Sequence, residues 1–262
     1  MSLLLWILGA SIVEALISLV GRSIVFLGEE RMKVFMHYFI SFAVGTLLGA
    51  TFFEILPEAL EYGKAEGIFI WTFVGFIAFF VLERFLFWYH CHEGHCDVHA
   101  TGYLILTGDA IHNFIDGIII ALAFIADIRL GIAASIAVII HEIPQEFSDF
   151  LVMLGAGFPR GKALFYNFLI ALTTIAGAIL TYFLRDAVSG FIGLALGLVA
   201  GNFIYIAASD LVPMLHASHH SFHSGDGHHG SHDAPEKKAT TLAQVALIIL
   251  GAFFVQIGDF IF

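Results

Sequence analysis

Apolar residues run along the chain in eight long stretches, at 3–27, 34–58, 67–90, 101–126, 129–154, 163–185, 188–214 and 241–262. About 20 residues of α-helix cross the hydrocarbon core of a bilayer, so each stretch is long enough to span. The stretches are continuously apolar and lack the ten-residue alternation of a membrane barrel, which predicts helices rather than strands. Only Asp127 and Ile128 separate the fourth stretch from the fifth, so these two helices should form a tight antiparallel hairpin. The expected fold is an all-α membrane protein: one transmembrane domain over 1–262, with His-rich loops at 90–100 and 215–240.

Polar positions inside the apolar stretches refine this picture. Gly45 precedes Glu54-Ile55-Leu56-Pro57 by nine residues, and Gly201 precedes Asp210-Leu211-Val212-Pro213 by the same nine. The two segments would cross the membrane in opposite directions. That predicts an inverted repeat, helices 1–3 against 6–8, around the hairpin of helices 4 and 5, an architecture of transporters. Eight basic residues (Arg22, Arg31, Lys33, Arg84, Arg160, Lys162, Lys237, Lys238) fall on the side of the two His-rich loops, against Lys64, Arg129 and Arg185 on the other. The positive-inside rule then places both termini outside and both His-rich loops in the cytoplasm. The first positive charge is Arg22, so the N-terminus lacks the basic region of a secretory signal, and the first apolar stretch reads as a retained helix.

Composition narrows the function. Of 262 residues, 59% are hydrophobic and 13% charged, and the net charge is −11. This excludes a soluble globular domain, a disordered tail and a nucleic-acid binder. There are 14 histidines, and the loop from His90 to His99 reads HCHEGHCDVH. Seven more histidines lie between His216 and His232. Such tracts bind transition metals in several geometries, and the close pair Cys91 and Cys96 suits a metal tract better than a structural disulfide.

The fourth helix carries Asp109, His112, Asn113 and Asp116, and the fifth carries His141, Glu142, Gln145, Glu146 and Asp149. Residues three and four apart share a helix face, so His112 projects with Asp116, His141 with Gln145, and Glu142 with Glu146. Charged groups at membrane depth must face one another or an aqueous cavity. Pro144 lies among them and removes the N–H partner of the Ile140 carbonyl. Mixed imidazole and carboxylate ligands suit zinc, iron(II), manganese or cadmium better than calcium or magnesium.

HNFIDG (112–117) followed by HEIPQEFSD (141–149) resembles the paired signature of the ZIP, or Zrt/Irt-like, metal transporters. The second stretch is similar to the subfamily whose fifth helix reads His-Glu-x-Pro-His-Glu-x-Gly-Asp. The resemblance implies import of Zn2+, Fe2+, Mn2+ or Cd2+ into the cytoplasm by homodimers in the plasma (cell inner) membrane, with no catalytic cofactor. It implies a binuclear centre bridged by Asp116. One site would use His112, Asp116, His141 and Gln145, with Glu54 as a further candidate. The other would use Asn113, Asp116 and Glu142, with Asn167 as a further candidate. Glu146 and Asp149 match the end of the signature and are expected along the exit path. The sequence departs from the pattern at Gln145, where relatives carry His or Glu, and at Ser148, where the subfamily has Gly. The alternative reading is an intramembrane metal-dependent hydrolase, which needs His-Glu-x-x-His, but the fifth position here is Gln145.

Overall fold

The computed structural model describes residues 2–21, 29–88, 98–155, 158–215 and 235–256. The described residues are almost entirely helical. Helix α1 covers Leu3–Gly21, and α2 covers Glu29–Gly49, followed by a π-helical turn at Ala50–Ile55 and α3 at Leu56–Glu61. Next come α4 (Ala65–Trp88), α5 (Val98–Ala126), α6 (Ile128–Gly155) and α7 (Arg160–Phe183). Short α8 (Arg185–Val188) leads into α9 (Ile192–Tyr205) and a second π-helical turn at Ile206–Leu211, and α10 covers Pro235–Phe254. Among the described residues, six helical segments are long and apolar enough to cross a membrane: Tyr38–Glu61, Ala65–Phe85, Leu106–Ala126, Ile128–Glu146, Arg160–Phe183 and Arg185–Leu215. The apolar parts of the first and last helices, Leu3–Ile17 and Thr240–Phe254, are shorter.

Helices α5 and α10 begin at Val98 and Pro235, inside the ranges read as loops. Proline is well suited to a helix start, where its missing N–H has no helical partner anyway. The remainder of both His-rich tracts, 89–97 and 216–234, lies outside the described residues. Between α5 and α6 stands a single non-helical residue, Asp127. Its Oδ1 accepts the backbone N–H of Arg129 at 2.7 Å and of Leu130 at 3.3 Å. That caps α6 and explains how two long helices reverse across one residue.

Burial separates central helices from peripheral ones. The spans Tyr38–Glu61 and Arg185–Leu215 are each 67% buried, and the α5 and α6 spans 61% and 56%, whereas Ala65–Phe85 is 11% buried. The α4 span therefore turns an apolar face outward, with Phe69, Phe73, Val81 and Phe85 exposed. In lipid such a face is solvated by acyl chains and needs no protein partner.

Glycines hold the helices together by one device used three times. The added Cβ of an alanine at Gly45 would lie 2.1 Å from the Ile248 carbonyl oxygen, and at Gly251, 2.3 Å from that of Phe42. The same reciprocal contact joins α9 to α4, with Gly201 against Thr72 at 1.9 Å and Gly75 against Leu198 at 2.2 Å. It joins α5 to α7, with Gly117 against Thr174 at 1.9 Å and Gly177 against Phe114 at 2.1 Å. In every helix the carbonyl lies three residues before the glycine. Without a hydrophobic force between helices in lipid, such close backbone contact is a main source of association. Gly117→Ala should therefore push α5 from α7 and cost about 1–3 kcal/mol, as overpacking does. Gly9→Ala, with nothing within 4 Å, should not destabilise. Thermal unfolding of the two purified variants in detergent checks the contrast.

The two π-helical turns share a register. Each begins five residues after its glycine, Gly45 or Gly201, and ends two residues before a proline, Pro57 or Pro213. A proline ring clashes with the carbonyl four residues earlier, and a widened turn just before it relieves that contact.

Candidate metal centre

Helices α5 and α6 bring His112, Asp116, His141 and Glu142 together, one donor atom from each within 4.8 Å of the others. His112 Nε2 lies 3.2 Å from His141 Nε2. It lies 3.5 Å from Asp116 Oδ2 and 3.3 Å from Glu142 Oε1. His141 Nε2 lies 3.4 Å from the same Asp116 oxygen and 3.7 Å from Glu142 Oε1. All four residues are buried, Asp116 and His141 completely.

The arrangement follows from helix geometry. His112 and Asp116 stand one turn apart on α5, and His141 and Glu142 are neighbours on α6, so two helices suffice to surround a point. One orientation is fixed from behind: His141 Nδ1 lies 3.2 Å from the Ala137 carbonyl. A carbonyl only accepts, so Nδ1 carries the proton and Nε2 turns its lone pair toward the cluster. Such outer hydrogen bonds are how metal-binding imidazoles are held. Aromatic rings wall the site, Phe79 edge-on to His112 at 5.7 Å and Phe203 at 6.3 Å from His141.

The donor spacing fits a small tetrahedral cation. Zinc bonds of roughly 2.0–2.1 Å in a tetrahedron place ligands about 3.3–3.4 Å apart. The five separations above run from 3.2 to 3.7 Å. Two imidazole nitrogens and two carboxylate oxygens converge on one point, and lone pairs so placed repel unless a cation stands among them.

The other sequence-derived candidates are placed differently. Gln145 is half-buried on α6. Glu142, expected in the second site, shares the first. Asn113 is fully buried, and its Nδ2 donates to Asp109 Oδ1 at 2.9 Å and to the Asp109 carbonyl at 3.2 Å. Its Oδ1 accepts from the Thr174 hydroxyl of α7 at 3.1 Å. Asn167 is fully buried on α7 with no hydrogen-bond partner for either amide atom. Glu146 is fully buried on α6. Asp149 lies on α6, with its side chain outside the described set.

Glu54 lines a separate, open cavity of about 290 Å³ with Glu58, Asp127, Arg129 and Leu130. This cavity adjoins the α5–α6 turn. Asp127 follows Asp116 by eleven residues, about 16 Å along a helix axis. On the other flank, the Tyr205 hydroxyl of α9 donates to Glu83 Oε2 of α4. Asp210, in the second π-helical turn, lies within electrostatic reach of His112, His141 and Glu83.

Sequence reasoning passed over Glu14. It is the lone charged residue of α1 and is fully buried. That lone charge in an apolar run was the available signal. Glu83 and Thr174 were also passed over, a helix-end acid and a hydroxyl that carry no motif.

Residues 90–257 match the family described as ZIP Zinc transporter. The chain is 37% identical over 148 residues to zinc transporter ZIP10 of Mus musculus, covering 54% of this chain and 17% of that protein. It is 28% identical over 236 residues to zinc transporter ZIP13 of Rattus norvegicus, covering 72% of this chain and 64% of that one. Against ZIP13 of Pongo abelii the identity is 32% over 191 residues, covering 67% and 57%. The chain thus spans less than two thirds of the length of these relatives. The family match covers most of the chain, including both helices of the four-residue cluster: this protein belongs to the ZIP zinc transporter family.

Proposed function

We propose that this protein carries divalent transition-metal cations, zinc foremost, across a membrane through the cluster of His112, Asp116, His141 and Glu142. The observation that carries the reading is a buried group of two imidazoles and two carboxylates whose donor atoms lie within 4.8 Å of one another. Two imidazoles and two carboxylates that converge on one buried point at membrane depth are the donor set of a transition-metal cation. The hydrolase alternative needs a second imidazole one turn after His141 on the same helix, but here the second imidazole comes from α5.

The cation comes in past Glu54 and Glu58, loses water to the four ligands, and leaves past Asp210 and Glu83 toward the cytoplasm. The matched registers of the two π-helical turns and the reciprocal glycine contacts support the inverted repeat of helices 1–3 and 6–8. Motion of one repeat against the hairpin of α5 and α6 then alternates access. The termini lie outside, in the plasma or inner membrane, and the unit is a homodimer embedded in lipid. Imidazole with carboxylate also accommodates iron(II), manganese and cadmium.

Competition uptake into sealed proteoliposomes, with zinc, iron(II), manganese and cadmium and with pH varied on both sides, tests the reading. Saturable influx in which zinc competes best is expected, and hydrolysis of lipid or peptide without flux would overturn it. Deleting residues 216–233 should leave the maximal uptake rate within about twofold and change only its dependence on metal supply, because loop His tracts bind metal weakly. Uptake lost on deletion, with normal insertion, would put that segment on the pathway.

A further inference from the structure

We propose that Arg129 is a tethered counter-ion of the cation entrance, which an arriving divalent cation displaces from Glu54 and Glu58. The proposal deepens the reading of this chain as a metal carrier and rests on it. The open cavity of about 290 Å³ is walled by Glu54, Glu58, Asp127 and Arg129, with buried Leu130 among them. Its walls come from two segments. Glu54 belongs to the first π-helical turn and Glu58 to α3, whereas Asp127 joins α5 to α6 and Arg129 stands in the first turn of α6. The Tyr62 hydroxyl, at the end of α3, donates to the Ala126 carbonyl at 3.1 Å and holds the two segments side by side. Asp127 is committed to its own helix, because its Oδ1 accepts the N–H groups of Arg129 and Leu130. Glu54 and Glu58 are then the carboxylates that the opposite wall offers to the guanidinium.

Local structure does not explain a cation at this position. Arg129 is the second residue of α6. The N-terminal end of a helix carries a partial positive charge, which favours acids there and disfavours Arg. The carboxylates of the cavity supply the compensation that the helix does not. Another arginine at this end of the bundle is held differently. Thr173 meets Ala110 and Ala178 meets Gly117, so α5 and α7 run parallel and Arg185 lies at the same end as Arg129. Arg185 Nη1 donates to the Tyr182 carbonyl at 3.1 Å, and the guanidinium stacks over the Tyr182 ring at 4.5 Å. Arg185 is thus satisfied within its own segment. Charge gives Arg129 its function. Three carboxylates and one guanidinium leave the cavity at −2, the charge that one divalent cation neutralises. The guanidinium stays protonated, so its positive charge is removed only by swinging aside. A monovalent ion gains little by replacing it, whereas a divalent ion brings twice the charge. When the metal moves inward, the guanidinium returns to the glutamates and closes the entrance to recapture.

Initial rates of zinc uptake into proteoliposomes holding the purified full chain, measured against zinc concentration at low and high NaCl, test this. Arg129→Gln should lower KM by about fivefold, the scale of repulsion between a guanidinium and a divalent ion across a wet cavity, and leave the maximal rate within about twofold. Its KM should also rise more steeply with NaCl, because a cavity of higher charge is screened more. Arg129→Lys keeps the charge and should keep both values near those of the unmodified protein. Arg185→Gln removes the same charge at the same end of the bundle and should leave KM unchanged. An unchanged or raised KM in Arg129→Gln, or an equal fall in Arg185→Gln, would overturn the proposal. Absence of saturable uptake by the unmodified protein would be a different failure: it would defeat the carrier reading, and this proposal with it.

Discussion

Replacement of His112 or His141 by Ala should reduce zinc uptake in cells to the background of cells without the protein. Each imidazole supplies one of four donors, and His112 Nε2 touches the donor atoms of all three others. Loss of a supporting group around a metal ligand already weakens binding by about 10–100-fold, and loss of the ligand itself should exceed about 100-fold. The variants also leave Asp116 and Glu142 buried with one fewer partner, so the cavity needs water or a proton in place of the ring. His141→Ala additionally frees the Ala137 carbonyl, whose contact fixes the ring. Radioactive zinc uptake, normalised to surface expression, measures the effect. Near-normal uptake in both variants would remove the cluster from the pathway.

The second large effect separates two neighbours on α6. Glu142→Gln should weaken zinc binding by about 100-fold, whereas Gln145→Ala should weaken it by less than about tenfold. The family signature alone suggests the opposite weighting, with position 145 in the first site and Glu142 in the second. The geometry places Glu142 Oε1 at 3.3 Å from His112 Nε2, and Gln145 is half-buried. The physical difference is charge. Glu142 removes half of the negative charge that balances a divalent ion, and a glutamine oxygen in its place donates only a dipole. Isothermal titration of zinc into the purified variants reads both affinities directly, and a larger loss at 145 would restore the weighting read from the signature.

The membrane helices and the polar faces of α5 and α6 were legible in the sequence because each rests on a local rule. Apolar length identifies a span, and spacing of three or four places His112 with Asp116. The one-residue turn at Asp127 was visible as the near absence of a linker. What spacing along one helix does not encode is which rows of two helices face each other. His141 and Glu142 point around α6 about 100° apart, and both converge on α5 because the point they share lies between them. Asn113 has partners that spacing along one helix does not show: its amide joins Asp109 to Thr174 of α7. Glu14 and Thr174 come from helices with no motif, and only packing brings them to the site. The glycines were visible as residues, but their reciprocal contacts depend on the partner helix.

Anomalous diffraction at the zinc edge, from crystals of the full-length chain grown with zinc, tests the central claim most directly. A peak should lie between α5 and α6, with bonds of about 2.0–2.2 Å to His112 Nε2, His141 Nε2, Asp116 Oδ2 and Glu142 Oε1. Zinc bound elsewhere in the protein, with no peak among these four atoms, would contradict it.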